Sequence, residues 1–233
     1  MLVSIIIPCF NEIKTLEKII ERIIAQKSIN KEIILINDGS TDGTKELIEK
    51  KLSDKCNVII NHETNLGKGA AIKSGIEKTN GQIILIQDAD LEYDPNDYKK
   101  IIDQIIYNKK LVVYGSRVLN KKRYKNKNFT SIYRIFFNHI LTIISNIINN
   151  QKLTDAHTCY KAFHKTVINQ INLEEDDFSF CPEITTKISK LGYKIEEVEI
   201  SYQGREYKEG KKIKFYDGVK ALYVLIKYRF LRK

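Results

Sequence analysis

Two carboxylates one residue apart, Asp88 and Asp90 with Ala89 between them, follow directly on the apolar run Ile83–Ile86, and Leu91, Glu92 and Tyr93 come next. A buried strand that stops at alternating acids holds them at the carboxyl edge of a sheet, where open α/β sheets bind their ligands. Carboxylate oxygens in that pattern suit a hard divalent cation, Mg²⁺ or Mn²⁺, and such a cation in turn binds the oxygens of a diphosphate. A solvated acidic loop has the same local pattern, so the neighbours of the pair must decide between the two.

The elements that would position the acids alternate regularly through the first half of the chain. Short, almost continuously apolar stretches at 3–7, 33–37, 58–61, 83–87 and 111–114 read as strands buried on both faces, as in a parallel sheet covered by helices. Helical patterns fall between them at 15–24, 44–52, 70–78 and 96–106, the last with Asp94 as N-cap and Pro95 in its first turn. The expected fold is α/β, a doubly wound and mostly parallel sheet flanked by helices. Its expected halves are residues 1–120, an α/β unit that binds the ligand, and 121–233, a second half that meets the other reactant, within one continuous domain.

On this reading four more polar segments end strands at the same edge. They are Pro8-Cys9-Phe10-Asn11-Glu12, Asn37-Asp38-Gly39-Ser40-Thr41-Asp42-Gly43-Thr44, Asn65-Leu66-Gly67-Lys68-Gly69-Ala70 and Gly115-Ser116-Arg117. A single loop of this kind is usually a turn into a helix. Five converging on one edge make a site the better reading.

The net charge of +10 over 233 residues points to anionic partners, and it is concentrated at 121–127 and 208–233. Four scattered cysteines form no C-x-x-C pair and read as reduced thiols in a cytosolic protein. The first residues pass straight into a strand, which predicts no secretory leader, and no apolar run approaches the ~20 residues of a membrane span. Two amphipathic stretches follow the α/β half. The first, at 133–148, sets Tyr133, Phe136, Phe137, Ile140, Leu141, Ile144, Ile147 and Ile148 against Arg134, Asn138, Thr142, Ser145 and Asn146. Its apolar face is expected to pack on the sheet, with a membrane surface shared with the second stretch as the alternative. The second, at 215–230, carries Lys220, Lys227 and Arg229 beside Val219, Leu222, Ile226 and Phe230, and suits either a membrane surface or the core.

Taken together, the segments VSIIIPCFNE, LINDGSTDGT, NLGKGAAIKSGI, IILIQDADLEYDP, VYGSR and CPEITTKISKLGYKIEEVEISYQGREYKEGKKI resemble the family 2 glycosyltransferases of GT-A fold. Within that family they resemble the dolichol- or polyprenol-phosphate hexosyltransferases, and the late segment looks more like the UDP-glucose branch than the GDP-mannose branch. The resemblance implies that Pro8, Phe10, Glu12 and Asp38 cradle the nucleoside, with Glu12 toward the ribose and Asp38 toward the base. It implies further that Asp88 orients sugar or ribose hydroxyls with Ala89 beside it in the nucleotide-sugar site, and that Asp90 and Glu92 hold the Mg²⁺ or Mn²⁺. The chain departs from the usual pair of acids before Gly-Ser, having Asn37 at the first position.

The implied reaction is an inverting, metal-dependent transfer of a hexose from a nucleotide sugar to polyprenyl or dolichyl phosphate, at the cytoplasmic face of a membrane and with a possible membrane-anchoring partner protein. Its chemistry fits the residues. A cation stabilises charge on the departing diphosphate, and a phosphate monoester, with a second pKa of about 6, is already an anionic nucleophile that needs no general base. It does need cations to hold it, and Arg117, Arg205 with Lys211 or Lys212, and more weakly Arg134 are the candidates; Arg117 also has the simpler reading of an ion pair with an acid. Of these, Asp88, Asp90, Arg117 and Arg205 are expected to be catalytic, with Arg205 and Lys211 on the donor phosphates as well. Glu174, Glu175, Asp176 and Asp177 stand where a base would serve a hydroxyl acceptor, but four acids in a row read more simply as a solvated loop. Glu183 is expected either to touch substrate or to cap a helix begun near Pro182, and His62, His139, His157 and His164 to be structural or surface residues. Two rivals remain: a family 2 transferase acting on a sugar hydroxyl, and a basic nucleic-acid-binding protein.

Overall fold

The computed structural model describes residues 1–120, 132–204 and 215–231, and of 132–134 and 215–217 only the backbone. Five strands run parallel or nearly continuously apolar where the sequence places them: β1 (Leu2–Cys9), β2 (Asn30–Asp38), β3 (Val58–His62), β4 (Ile83–Ile86) and β5 (Val112–Ser116). Two more, β6 (Lys161–His164) and β7 (Glu196–Glu199), complete a seven-stranded sheet in the order β3-β2-β1-β4-β6-β5-β7. All neighbours pair parallel except β6, which runs antiparallel between β4 and β5. Neither β6 nor β7 stands out in the sequence, because β6 is four residues containing Lys161 and His164, and β7 reads Glu-Glu-Val-Glu. Pairing with an existing edge, not hydrophobic pattern, makes them strands.

The isoleucine-rich strands bury both faces. Alternate residues of β1, Ile5 and Ile7 on one side and Ile6 on the other, belong to separate core clusters above and below the sheet. The first cluster takes in α1 (Leu16–Ala25) and α4 (Tyr98–Ile106), the second α3 (Lys68–Ile76) and α7 (Phe180–Lys190). Each fully buried isoleucine contributes about 1.5–3 kcal/mol, so the sheet is a rigid platform for the loops at its carboxyl edge. The short helix α2 (Thr44–Leu47) continues as a π-helical turn, Ile48–Leu52. Asp94 caps the turn before α4 as expected, its side chain accepting from the Asn96 amide with Pro95 next in line. After β6 comes one turn, α6 (Lys165–Ile168).

The helix α5 (Ile132–Asn149) corrects an expectation. It packs against α7 and against α8 (Phe215–Ile226), not with its apolar face on the sheet. Its buried side is the polar one: Thr142 and Ser145 are each 1% exposed and Asn149 2%, while Phe136, Ile140, Ile143 and Ile147 lie open, Ile147 at 77%. Most of the polar groups that face inward find partners, the Asn149 Oδ1 atom being the exception. Thr142 Oγ1 donates to the Asn138 carbonyl, and Asn149 Nδ2 donates to Ser145 and to Thr186 on α7. On α8, which continues as a π-helical turn at Lys227–Leu231, Val224 and Leu225 are buried and Val219, Tyr223, Ile226 and Phe230 exposed. Two neighbouring helices therefore carry aliphatic and aromatic side chains on their open sides.

Because that stripe is open, it adds little to folding. Replacing Phe136, Ile140 and Ile147 together by Gln is expected to move stability by less than about 1.5 kcal/mol, whereas Ile184→Ala, in the core at 0% exposure, should cost about 2–5 kcal/mol. Urea unfolding of the two variants checks this.

Candidate active site

The carboxyl ends of β1, β2, β4 and β5 and the turn into α3 open on one cleft of about 500 Å³. Pro8, Phe10 and Glu12 line it from β1, Asp38 from β2, Asp88, Ala89, Asp90 and Glu92 from β4, and Arg117 from β5. Nine residues that the sequence singles out are thus brought to one place. Arg205, Lys211 and Lys212 lie outside the described residues, as does the side chain of Arg134. The second half contributes walls that the sequence reading does not name for this role: His157, Cys159, Phe178 and Tyr202. The antiparallel run of β6 explains two of them, because its lead-in at 155–160 arrives at the same edge where β4 and β5 end.

At the β2 side, Asp38 is almost fully buried and its carboxylate is heavily engaged. It accepts from the Leu66 and Gly67 amides at 3.0 and 2.8 Å and from Asn65 Nδ2 at 3.0 Å, and meets the His62 ring at 2.7 Å. The acid that the family resemblance directs to a base thus also fastens the turn before α3. His62 bridges on to Ser74, a structural role as expected. Asn37 fits its place: its Nδ2 donates across the β2–β3 register to Asn61, and its Oδ1 accepts from the Ser40 amide.

The end of β4 is fixed from below. Gln87 Oε1 accepts from the hydroxyls of Tyr98 and Tyr160, and its Nε2 donates to the Asp88 carbonyl. Asp88 forms an ion pair with Lys68, whose ammonium also lies 3.0 Å from Cys159 Sγ and 5.7 Å from the Phe178 ring. Burial would lower the Lys68 pKa, but the Asp88 charge overrides it and holds the ammonium well above its usual range. Burial likewise pushes the Cys159 thiol up, so it stays protonated. Lys68 was visible only as part of a glycine-rich turn, and its pairing with an acid 20 residues away carries no sequence signal.

Asp90 Oδ1 accepts from the Glu92 amide at 3.0 Å, and Glu92 Oε2 accepts from the Tyr202 hydroxyl at 2.7 Å. Among the described residues no cluster of three or more His, Cys, Asp or Glu side chains could hold a metal alone. Two hard carboxylates at a strand end are nevertheless the set that Mg²⁺ takes when substrate phosphates and water supply the other oxygens. The donor chemistry of Asp90 and Glu92 suits such a cation, and one oxygen of Glu92 already accepts from Tyr202.

Arg117 does not stand in the cleft as an uncompensated cation. Its Nε and Nη2 donate to the two oxygens of Asp155 at 2.6 and 2.8 Å, its amide adds a third bond at 3.2 Å, and its guanidinium lies 5.1 Å from the Tyr202 ring centre. Burial opposes ionisation of both partners, and their mutual attraction prevails: the Asp155 carboxyl is held down at about 2 and the guanidinium well above its usual range. Asn138 of α5 donates to the same carboxylate, and Glu197 of β7 accepts from the Thr154 and Asp155 amides. Sequence reading missed Asp155, a lone acid in a loop.

The acids at 174–177 are tied down by cations, although Asp176 remains exposed to solvent as expected. Glu174 pairs with Lys187, Asp176 with Lys73 of α3, Glu175 with Lys227 and Tyr228, and Asp177 with Lys220 at 2.5 Å. Lys220 and Lys227, which look like a basic fringe in the sequence, thus turn inward. Glu183, fully buried on α7, accepts from the Glu174 and Glu175 amides and pairs with Lys187, so it holds this loop. The loop also presses on α3: a Cβ at Gly69 would come within 2.2 Å of the Glu175 carbonyl oxygen, so only glycine fits there.

The match to a family model decides the identity of this arrangement. Residues 4–171 match the model described as glycosyl transferase family 2. The chain belongs to that family, and it is a glycosyltransferase. A dolichyl-phosphate beta-glucosyltransferase of Trichomonas vaginalis is 29% identical over 241 residues, covering 96% of this chain and 72% of its own. A UDP-N-acetylglucosamine–dolichyl-phosphate N-acetylglucosaminyltransferase of Methanococcus voltae is also 29% identical, covering 97% and 95%. Among solved structures, glucosyl-3-phosphoglycerate synthase of Mycobacterium tuberculosis superimposes with a TM-score of 0.70 over 98% of this chain and 81% of its own at 16% identity, and a second structure of it, in complex with Mg²⁺ and uridine diphosphate, gives 0.69 over 98% and 79% at 14%. The fold of this glycosyltransferase is GT-A, as expected.

The buried ion pair makes a pH-dependent contribution. Asp155 has its folded pKa depressed from 3.8 to about 2, so its stabilisation is fully present above about pH 4 and is lost as pH falls through about 2. Asp155→Ala leaves Arg117 buried without its counter-charge and should cost about 3–5 kcal/mol near pH 7. Urea unfolding at pH 7 and pH 2.5 should show the gap between wild type and variant narrowing at the lower pH.

Proposed function

We propose that this family 2 transferase moves a hexose, with inversion, from a nucleotide sugar to a polyprenyl or dolichyl phosphate. UDP-glucose or a related UDP-sugar is the favoured donor, and GDP-mannose the alternative. The observation that carries the reading is the state of the carboxylates where a base would be needed. Asp177 reaches the cleft but is paired with Lys220 and accepts from the Ser179 amide. Partial burial would raise its pKa, but these hydrogen bonds hold it below its usual range, and Glu175 is held down in the same way by Lys227 and Tyr228. Such groups are poor bases at neutral pH. An acceptor that arrives already ionised does not need one. The names of the relatives, two of them dolichyl-phosphate transferases and a third an undecaprenyl-phosphate transferase of Pseudomonas fluorescens, support the same acceptor class.

In this mechanism Pro8, Phe10 and Glu12 seat the nucleoside, with Asp38 shaping the turn that closes over the base. Asp88, oriented by Lys68, takes sugar hydroxyls, and Ala89 leaves room beside it for the ring. Asp90 and Glu92 would hold Mg²⁺ or Mn²⁺, which when bound neutralises charge on the departing diphosphate. Arg117, oriented by Asp155, presents its guanidinium toward the phosphates, joined by Arg205 and Lys211. The acceptor phosphate then attacks the anomeric carbon from the face opposite the leaving group.

A lipid acceptor requires a surface. The open apolar stripe of α5 and α8 fits a bilayer because the polar face of α5 is turned into the protein, where Thr142 and the Asn149 amide nitrogen find partners, the reverse of a helix built only for water. No helix among the described residues is long and apolar enough to cross a membrane, so the reading is peripheral attachment at the cytoplasmic face, with or without an anchoring partner.

Transfer of labelled sugar from a panel of UDP-hexoses and GDP-mannose to a short polyprenyl phosphate tests the function. One donor should give product that EDTA suppresses, and Asp90→Ala should lower kcat by at least about 100-fold; a variant with normal turnover refutes the site. Separately, wild type should co-sediment with anionic lipid vesicles, while the Phe136, Ile140 and Ile147 to Gln variant stays in the supernatant although it remains folded, its stability within about 1.5 kcal/mol of wild type.

A further inference from the structure

His157 lies between Asp155, which holds Arg117, and Cys159, which touches Lys68. His157 lines the cleft, and its Nε2 is buried with no hydrogen-bond partner among the described residues. An imidazole nitrogen kept from water and left unpaired is uncommon in a folded protein, and at the wall of a binding cleft the natural partner is a ligand. Nothing in the transfer chemistry above uses this ring.

The surroundings indicate what it would meet. Burial first, and then the charges of Lys161 and Arg117, depress the imidazole to about 4 against the opposing pull of Asp155. At neutral pH the ring is therefore uncharged, with one N–H and one lone pair. Lys161 is itself fully buried, with its ammonium on the Ala156 carbonyl and 3.7 Å from the centre of the Tyr114 ring. The Lys161 and Arg117 charges that act on the ring favour an anionic oxygen as its partner. Lys68 and Arg117 are already engaged with Asp88 and Asp155, so His157 adds a donor that no carboxylate occupies.

We propose that His157 is a substrate-binding residue of the cleft, giving a hydrogen bond from Nε2 to a phosphate oxygen. The inference rests on the transfer to a lipid phosphate proposed above. Both the donor diphosphate and the acceptor phosphate supply such an oxygen, and the variants below separate them.

The side-chain nitrogen of Gln falls near the Nε2 position and that of Asn near Nδ1, so His157→Gln keeps the donor while His157→Asn and His157→Ala lose it. Steady-state KM values for UDP-glucose and farnesyl phosphate, with UDP affinity by calorimetry, should show Ala and Asn raising the constant of one phosphate substrate by about 10-fold or more, the size of one hydrogen bond to a charged group. Gln should stay within about threefold of wild type, and thermal midpoints should agree. A change in UDP affinity assigns the bond to the donor, and a change confined to the farnesyl phosphate KM assigns it to the acceptor. Unchanged constants in His157→Ala, or a Gln variant no better than Asn, would overturn the assignment. A second arm is independent of turnover: the Cε1 proton resonance of His157, identified by its absence in His157→Gln, should shift on adding UDP or farnesyl phosphate. No shift with either overturns the inference, whereas a shift in an enzyme that transfers no sugar to farnesyl phosphate overturns only the acceptor reading.

Discussion

Arg117 and Asp155 form a buried ion pair on which β5, β7, α5 and the lead-in of β6 converge. Isolated, either charge would cost far more to bury than the fold could offset. Joined by two side-chain hydrogen bonds they are tolerable, and each bond fixes a direction as well as a distance. Through this pair the end of β5 is tied to the lead-in of β6, the same carboxylate is held by Asn138 of α5, and the adjoining amides are held by Glu197 of β7. The helix with the open apolar stripe and the cleft with the acids thus share a single carboxylate. Lys68 and Asp88 repeat the device on the other wall.

Charge pairing also organises the second half of the chain. The basic excess suggests a cationic surface, yet Lys73, Lys187, Lys220 and Lys227 are engaged by the acids at 174–177. That acidic segment bolts α3, α7 and α8 together beside the cleft. The open surface of α5 and α8 is apolar instead, and its polar side is buried in a hydrogen-bonded seam with α7.

The first half of the fold was legible because both faces of its strands are buried, so apolar runs and intervening amphipathic helices carry the signal directly. The cleft was legible for a related reason: in a parallel sheet every βα turn emerges at one edge, so Glu12, Asp38, Asp90 and Arg117 could be placed together from strand ends alone. What stayed hidden depends on partners remote in sequence. β6 and β7 are polar and exist through pairing, Asp155 is a single acid whose meaning lies in Arg117, and His157 reaches the cleft only because β6 runs antiparallel. The helical pattern of α5 was read correctly and its inner face wrongly, because amphipathicity states that two faces differ and not which neighbour each will meet.

Carboxylates lining the cleft are engaged by cations and hydrogen bonds, and the acceptor proposed for it brings its own negative charge. Side-by-side turnover with a polyprenyl phosphate and with the matching uncharged polyprenol, at one donor concentration and neutral pH, tests this most directly. Product from the phosphate and none above background from the alcohol is the predicted result. Comparable rates with both would mean that a base operates in the cleft, and would contradict the account.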